Sequence, residues 1–214
     1  AAQQTTWYKP LADLYLICDH AEGVLATTGC LGCPVAGSIL RGDVERATAV
    51  VAQLRDAFGP DRLFVEVMDH GIKAERVVME GLVDLAKKFD LRVVATNDAH
   101  YTGPDEHGIH DAWLCNQTGA KVSDTKRFSF NGSGYHLRTA AEMRAIFDGQ
   151  PGTEAACDTT LWIADSVDDN VLGYAHLRIP TFDPPAGYTA SQAATAKGYA
   201  GSTAYLFDER IGEE

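Results

Sequence analysis

The apolar positions of this chain change period several times, and each change marks the edge of an element. Leu91-Arg92-Val93-Val94-Ala95-Thr96 is an apolar, β-branched run that stops abruptly at Asn97, Asp98 and His100. Such a run predicts a buried strand with polar groups at its C-terminal end. Two earlier runs have the same character. Residues 23–28 lead into the glycine-containing turn Gly29-Cys30-Leu31-Gly32-Cys33-Pro34, and residues 63–68 end in Asp69-His70-Gly71. Between the strands the spacing becomes helical. Residues 10–20 form a short amphipathic pattern, and Pro34 suits the first turn of a helix. Asp43 is placed to cap a helix over 44–58, with apolar positions 44, 47, 50, 51, 54 and 58. Residues 74–89 repeat the pattern at 77, 78, 82, 85, 86 and 89. Helix and strand alternate, which predicts an α/β fold with a parallel sheet or barrel and helices outside it.

The second half is less regular. Residues 104–115 predict a helix opened by Asp105, with His107 and His110 one turn apart on one face. Residues 117–134 read as a polar surface excursion. Thr139-Ala140-Ala141-Glu142 is a capping box for a helix to 147. Residues 152–166 predict a further helix, with Thr153 or Glu154 near its start. The proline-bounded stretch 177–185 marks a domain edge, and the Ala-rich residues 189–210 suggest a helical extension. Two regions are therefore expected, 1–175 and 176–214.

Composition narrows the possible functions. The 214 residues carry a formal net charge of −12, so no global basic field points to nucleic acid; such contact would need a local patch, a metal or a neighbouring domain. No apolar run approaches membrane-spanning length, and the start lacks a basic-then-apolar leader. Five cysteines without regular spacing do not suggest a disulfide scaffold, so a cytoplasmic setting is expected. The first residues lack an initiator Met and read as the middle of a longer protein.

Candidate chemistry sits at the strand ends. Asp98 and His100 are two apart, so on an extended backbone their side chains point the same way. A carboxylate and an imidazole there suit a divalent metal. Cys30-Leu31-Gly32-Cys33, between a strand and a helix, invites a redox reading, because a thiol at a helix N-terminus has a lowered pKa. Nothing else fits a thioredoxin-like pattern, and burial as small apolar residues is the plainer reading of these cysteines. The pair His107 and His110 lacks a clear third ligand, which makes capping or packing its expected role.

Several motifs occur in series: Thr27-Thr28-Gly29-Cys30-Leu31-Gly32, Glu66-Val67-Met68-Asp69-His70-Gly71, Ala95-Thr96-Asn97-Asp98-Ala99-His100-Tyr101, His110 through Gly119, Arg127-Phe128-Ser129-Phe130, and Gly134-Tyr135-His136-Leu137-Arg138 running into the capping box. This series resembles the polymerase-and-histidinol-phosphatase (PHP) domain of bacterial C-family replicative DNA polymerases, the DNA polymerase III α subunits, from about residue 8 to residue 170. The segment 179–214 resembles, more weakly, the passage into the polymerase proper. The resemblance implies part of a distorted β/α barrel with a multinuclear site at the strands' C-terminal ends. By position it implies Cys30, Asp98 and His100 as metal ligands for zinc, manganese or both, while His70 matches a His-Gly motif without a clear ligand role. It further implies 3′–5′ exonuclease activity in active members, and a structural role in degenerate ones. DNA, deoxynucleotides and other replisome subunits would be partners of the parent, whose polymerase domain would use magnesium. No His-x-His pair occurs in the chain, so those ligands are expected upstream of residue 1, and the fragment alone is expected to be inactive. Cys33-Pro34 departs from the Gly-Glu more usual in relatives. A stand-alone phosphoesterase of the same superfamily and a metal-free barrel are the alternatives.

Overall fold

A computed structural model of the chain describes residues 11–169 other than 131 and 133. The chain divides into two compact units, Ala1–Val167 and Asp168–Glu214. The expected extended segment at 177–185 and helix at 189–210 lie outside the described residues.

The first unit is α/β. In chain order it contains α1 (Leu14–Asp19), β1 (Ala26–Thr27), α2 (Pro34–Leu40), α3 (Val44–Phe58), β2 (Leu63–Val67), α4 (Lys73–Phe89), β3 (Arg92–Ala95), α5 (His107–Thr118), α6 (Ala140–Phe147) and α7 (Asp158–Asp165). The three strands form one parallel sheet in the order β1-β2-β3, with Ala26 opposite Leu63 and Val67 opposite Ala95. Among the described residues an isolated parallel bridge, Tyr101 to His136, lies outside these strands. Among the described residues these strands do not close into a full barrel.

The pleat sorts the sheet into two faces. Leu63, Val65 and Val67 join Leu91 and Ala95 in the main core, against Ala47, Val50 and Val51 of α3 and Val78, Leu82 and Ala86 of α4. The opposite face carries Thr27, Phe64, Glu66, Arg92 and Thr96. There the Phe64 ring lies 5.6 Å from that of Trp162 in α7, and the Arg92 guanidinium sits 4.0 Å over the same indole. All five β2 residues are buried, as expected for a central parallel strand covered on both sides.

Most predicted boundaries hold. Asp43 caps α3 through its carboxylate to the Arg46 N–H, Pro34 opens α2, and the Thr139/Glu142 capping box is formed. Four expectations need correction. The strand predicted over 23–28 is reduced to Ala26–Thr27, and Val24 is 47% exposed; among the described residues this strand pairs only with β2, which leaves the turn after Gly23 in solvent. Val44 and Val77 are exposed although both fit the helical pattern. Val44 lies in the first turn of α3, and Val78 rather than its neighbour Val77 faces the sheet. Helix α5 begins at His107; Glu106, not Asp105, holds the preceding turn by accepting the N–H groups of Thr102 and Gly103. Helix α7 begins only at Asp158. Thr153 is buried and donates its hydroxyl to the Phe147 and Gln150 carbonyls instead of capping.

Candidate functional site at the strand ends

The C-terminal ends of the three strands meet around a carboxylate that sequence reasoning did not select. Glu66 projects from β2 on the face away from the main core. Its Oε2 accepts from the Thr27 hydroxyl at 2.6 Å and the Gly29 N–H at 3.1 Å, and its Oε1 accepts from the Thr96 hydroxyl at 2.5 Å. One buried side chain therefore ties the end of β1 and the residue after β3 to the middle strand. The Gly29 backbone has φ +86°, a left-handed conformation open to glycine, and that turn aims its N–H at the carboxylate. The signal was present in the sequence, since a lone acidic residue inside an apolar strand must find donors.

His70, just past β2, is 1% exposed at its side chain and lies 2.7 Å from Glu75 of α4, itself 6% exposed. Its Nδ1 meets the Glu75 carboxylate and its Nε2 meets the Asn97 carbonyl at 2.7 Å. A carboxylate and a carbonyl both accept, so this geometry favours a ring protonated on both nitrogens. Burial works against that charge, but the Glu75 hydrogen bond, the Asn97 carbonyl and the Glu75 charge together raise the pKa above the ordinary histidine value. The His70 ring stacks on Tyr135 at 3.9 Å. Both ring nitrogens are engaged within the fold, which leaves His70 no free lone pair to offer a metal.

Asp98 and His100 are exposed at the end of β3. Their relation is not the strand alternation expected from spacing. β3 ends at Ala95, and Asp98 has φ +44°, a left-handed conformation that Asp tolerates better than most residues. That twist brings the Asp98 carbonyl to the His100 ring, with Nδ1 to oxygen 2.6 Å. A carbonyl can only accept, so the proton resides on Nδ1 and the Nε2 lone pair is left for another partner, which is the arrangement metal-binding histidines use. The imidazole is framed by Phe130 at 4.7 Å and His110 at 5.3 Å, and Tyr135 meets it edge-on at 5.6 Å.

Cys30 is exposed at the end of β1, and all five cysteines are unpaired thiols. Burial raises the Tyr135 phenol to about 12, and the charges of Glu75, Asp98, Tyr101 and Cys30 push in the same direction. Cys30 and Asp98, from strands separated by β2, thus act on one phenol at one end of the sheet. As donors, a thiol, a carboxylate and an imidazole suit zinc, and the His100 tautomer fits. Among the described residues, however, no three His, Cys, Asp or Glu side chains gather closely enough to hold an ion. Cys30, Asp98 and His100 therefore do not close a metal shell by themselves.

The remaining candidates take other roles. Cys33 caps α2, its sulfur accepting the Ala36 N–H at 3.3 Å. Burial outweighs that bond and raises the thiol's pKa, the opposite of what the redox reading of this pair would need. His107 and His110 face Tyr101 at 6.1 and 5.5 Å, and neither Nδ1 has a hydrogen-bond partner. The His110 pKa is lowered by burial and by the nearby His100 and His107. The excursion after α5 is fastened by a bidentate pair, Arg127 to Asp111, with both bonds 2.6 Å.

Comparison with known proteins gives a consistent picture. Over 192 residues the chain is 42% identical to DNA polymerase III subunit alpha of Mycobacterium tuberculosis strain H37Rv, a match covering 87% of this chain and 16% of the relative. It is 38% identical over 200 residues to the same-named protein of Saccharopolyspora erythraea, covering 92% of this chain and 16% of the relative. Against the Thermus aquaticus protein of that name it is 33% identical over 186 residues, covering 86% and 15%. The chain thus spans about 16% of the length of the curated relatives it matches. No family model matches it. Among the described residues no helix is long and apolar enough to cross a membrane.

Proposed function

We propose that the chain is a segment of a replicative DNA polymerase α subunit and forms the later part of a PHP-type β/α barrel. The observation that carries this reading is 42% identity across 192 residues to a protein named DNA polymerase III subunit alpha. The order of the motifs and the parallel succession β1-β2-β3 support it. In this reading residues 1–175 belong to the barrel and 176–214 lead toward the polymerase region, where magnesium would serve nucleotidyl transfer. DNA, deoxynucleotides and other replisome subunits are partners of the parent, and its setting is the cytoplasm.

Within the barrel, Asp98 and His100 contribute to a zinc or manganese site, with Cys30 as a further donor and the remaining ligands drawn from outside the described residues. When bound, such an ion supplies activated water for phosphodiester hydrolysis, the chemistry of a 3′–5′ exonuclease. This chain's own residues prepare the place. The Asp98 carbonyl holds the proton of His100 on Nδ1, and the His70–Glu75 pair and Tyr135 support the Asn97-Asp98 turn from below. Glu66 keeps the ends of β1 and β3 in register with β2.

The test is to express the protein encoded by the complete reading frame and assay it on a labelled primer–template, with and without manganese. Template-directed extension supports the polymerase reading, and manganese-dependent shortening of the primer supports exonuclease activity at the barrel. Failure to extend, combined with hydrolysis of phosphomonoesters, would instead favour a stand-alone phosphoesterase.

A further inference from the structure

Beside the strand ends lies a cleft of about 710 Å³, lined by Asp69, His70, Arg76, Gly134, His136 and Arg138 among others. In a chain of net charge −12, its lining is cationic. Two guanidinium groups converge there on one aspartate. The Arg76 Nε donates to the Asp69 carboxylate at 3.1 Å, and the Arg138 Nη1 donates to the Asp69 backbone carbonyl at 3.0 Å. The other Asp69 oxygen is taken by the Gly71 N–H at 2.8 Å. Arg76 engages this acid through Nε alone, and its side chain is 65% exposed, which leaves its outer nitrogens to the cleft. Arg138 has no carboxylate within ion-pair distance among the described residues, so a neutral carbonyl orients its charge without cancelling it. The guanidinium rests on Gly134, where any side chain would collide with Nη2 and crowd the His70 Cα at 3.1 Å. The Nδ1 of His136 is buried and has no hydrogen-bond partner.

We infer that this cleft binds a phosphate group through Arg76 and Arg138, and that the group belongs to a nucleotide strand running toward Asp98 and His100. Two planar, pre-oriented forks suit a tetrahedral oxyanion better than flexible ammonium groups would. The wall carrying Arg138 is also bonded to the end of β3. Asn97 Nδ2 donates to the His136 carbonyl at 2.5 Å, and the His100 N–H donates to the Tyr135 carbonyl at 2.7 Å. One short segment thus borders both the cleft and the candidate metal pair. The choice of a nucleotide strand rests on the polymerase reading above, whereas the phosphate chemistry rests on the cleft alone.

The experiment uses the full chain in EDTA, so that no metal contributes. Anisotropy of a fluorescein-labelled oligothymidylate is followed across a sodium chloride series for wild type, Arg76→Gln, Arg138→Lys and the control Arg46→Gln, whose exposed side chain lies on α3. Inorganic phosphate serves as competitor, and its own binding is read by thermal shift. Arg76→Gln should weaken oligonucleotide binding about tenfold, as expected for loss of a charge-assisted hydrogen bond, and should lower the slope of log affinity against log salt by about 0.7. Arg138→Lys keeps the charge, so it should weaken binding while leaving the slope in place. If inorganic phosphate binds with the same arginine dependence but the oligonucleotide does not, the cleft is upheld as a phosphate site and the polymerase reading loses support. If wild type binds neither probe, or Arg76→Gln behaves like Arg46→Gln, the inference is overturned.

Discussion

The core face of this small sheet and its C-terminal tips are held by different forces. The body of β2 and β3 is packed against α3 and α4 by Leu63, Val65, Val67, Val78 and Leu82, with no polar partner required. On the opposite face of β2, and just past its C-terminal end, the same chain is held by Glu66 gathering three donors and by His70 buried against Glu75. Apolar packing sets where the strands lie, and the paired charges set where their ends point. The first depends on area removed from water. The second depends on every member of a network being present, because a buried charge that loses its partner keeps its desolvation penalty.

This contrast makes Glu75→Ala the most damaging of the substitutions proposed here. It leaves the His70 imidazole buried without its carboxylate and should cost about 3–5 kcal/mol in urea unfolding. The defect should also depend on pH. The folded-state pKa of His70 is raised, so its contribution is fully present below the unfolded value of about 6.5 and is lost as pH rises through the folded value. The gap between wild type and variant should therefore narrow in alkaline buffer without closing, because the Glu75 carboxylate also accepts the His70 backbone N–H at 2.7 Å. Leu63→Ala removes a fully buried side chain from the apolar body and should cost about 3 kcal/mol at any pH. A pH-dependent Leu63→Ala defect, or a pH-independent Glu75→Ala defect, would break the distinction.

Smaller effects sharpen it. Glu66→Gln keeps the shape but replaces one carboxylate oxygen with a donor facing other donors, and should cost about 1–2 kcal/mol. Arg127→Ala should leave the melting temperature nearly unchanged while speeding proteolysis between residues 120 and 130, since Arg127 fastens only that excursion. The Arg127 hydrogen bond holds the Asp111 carboxyl below its usual range, with burial opposing. Its contribution is thus present above the unfolded carboxylate value and lost as pH falls, so wild type should acquire the variant's cleavage pattern in acid. Cys30→Ala should change stability by less than about 0.5 kcal/mol in EDTA, because the thiol is exposed.

The same division explains what the sequence could reveal. Helix α3 was legible because apolar positions recur at helical spacing between Asp43 and Gly59-Pro60, α4 because the same spacing recurs over residues 78–89, and β2 because its run is apolar apart from Glu66. Strand β1 was overread because Val24 and Leu25 carry β propensity that an edge position does not use. The start of α7 was misplaced because Thr153 looks like a cap while its hydroxyl serves the end of α6. At the strand ends, Asp98 and His100 were visible as residue types, but the left-handed Asp98 backbone that joins them was not. Glu75 and Tyr135 were hidden because their importance comes from His70, five and sixty-five positions away, and only the fold brings them together.

The central claim is that the turn after β3, carrying Asp98 and His100, is built to hold a metal. The direct measurement is the zinc and manganese content of the protein expressed from the complete reading frame, comparing wild type with His100→Ala and Asp98→Ala after confirming that each variant is folded. The account predicts that both variants bind less metal than wild type. Metal content unchanged in both variants would contradict it.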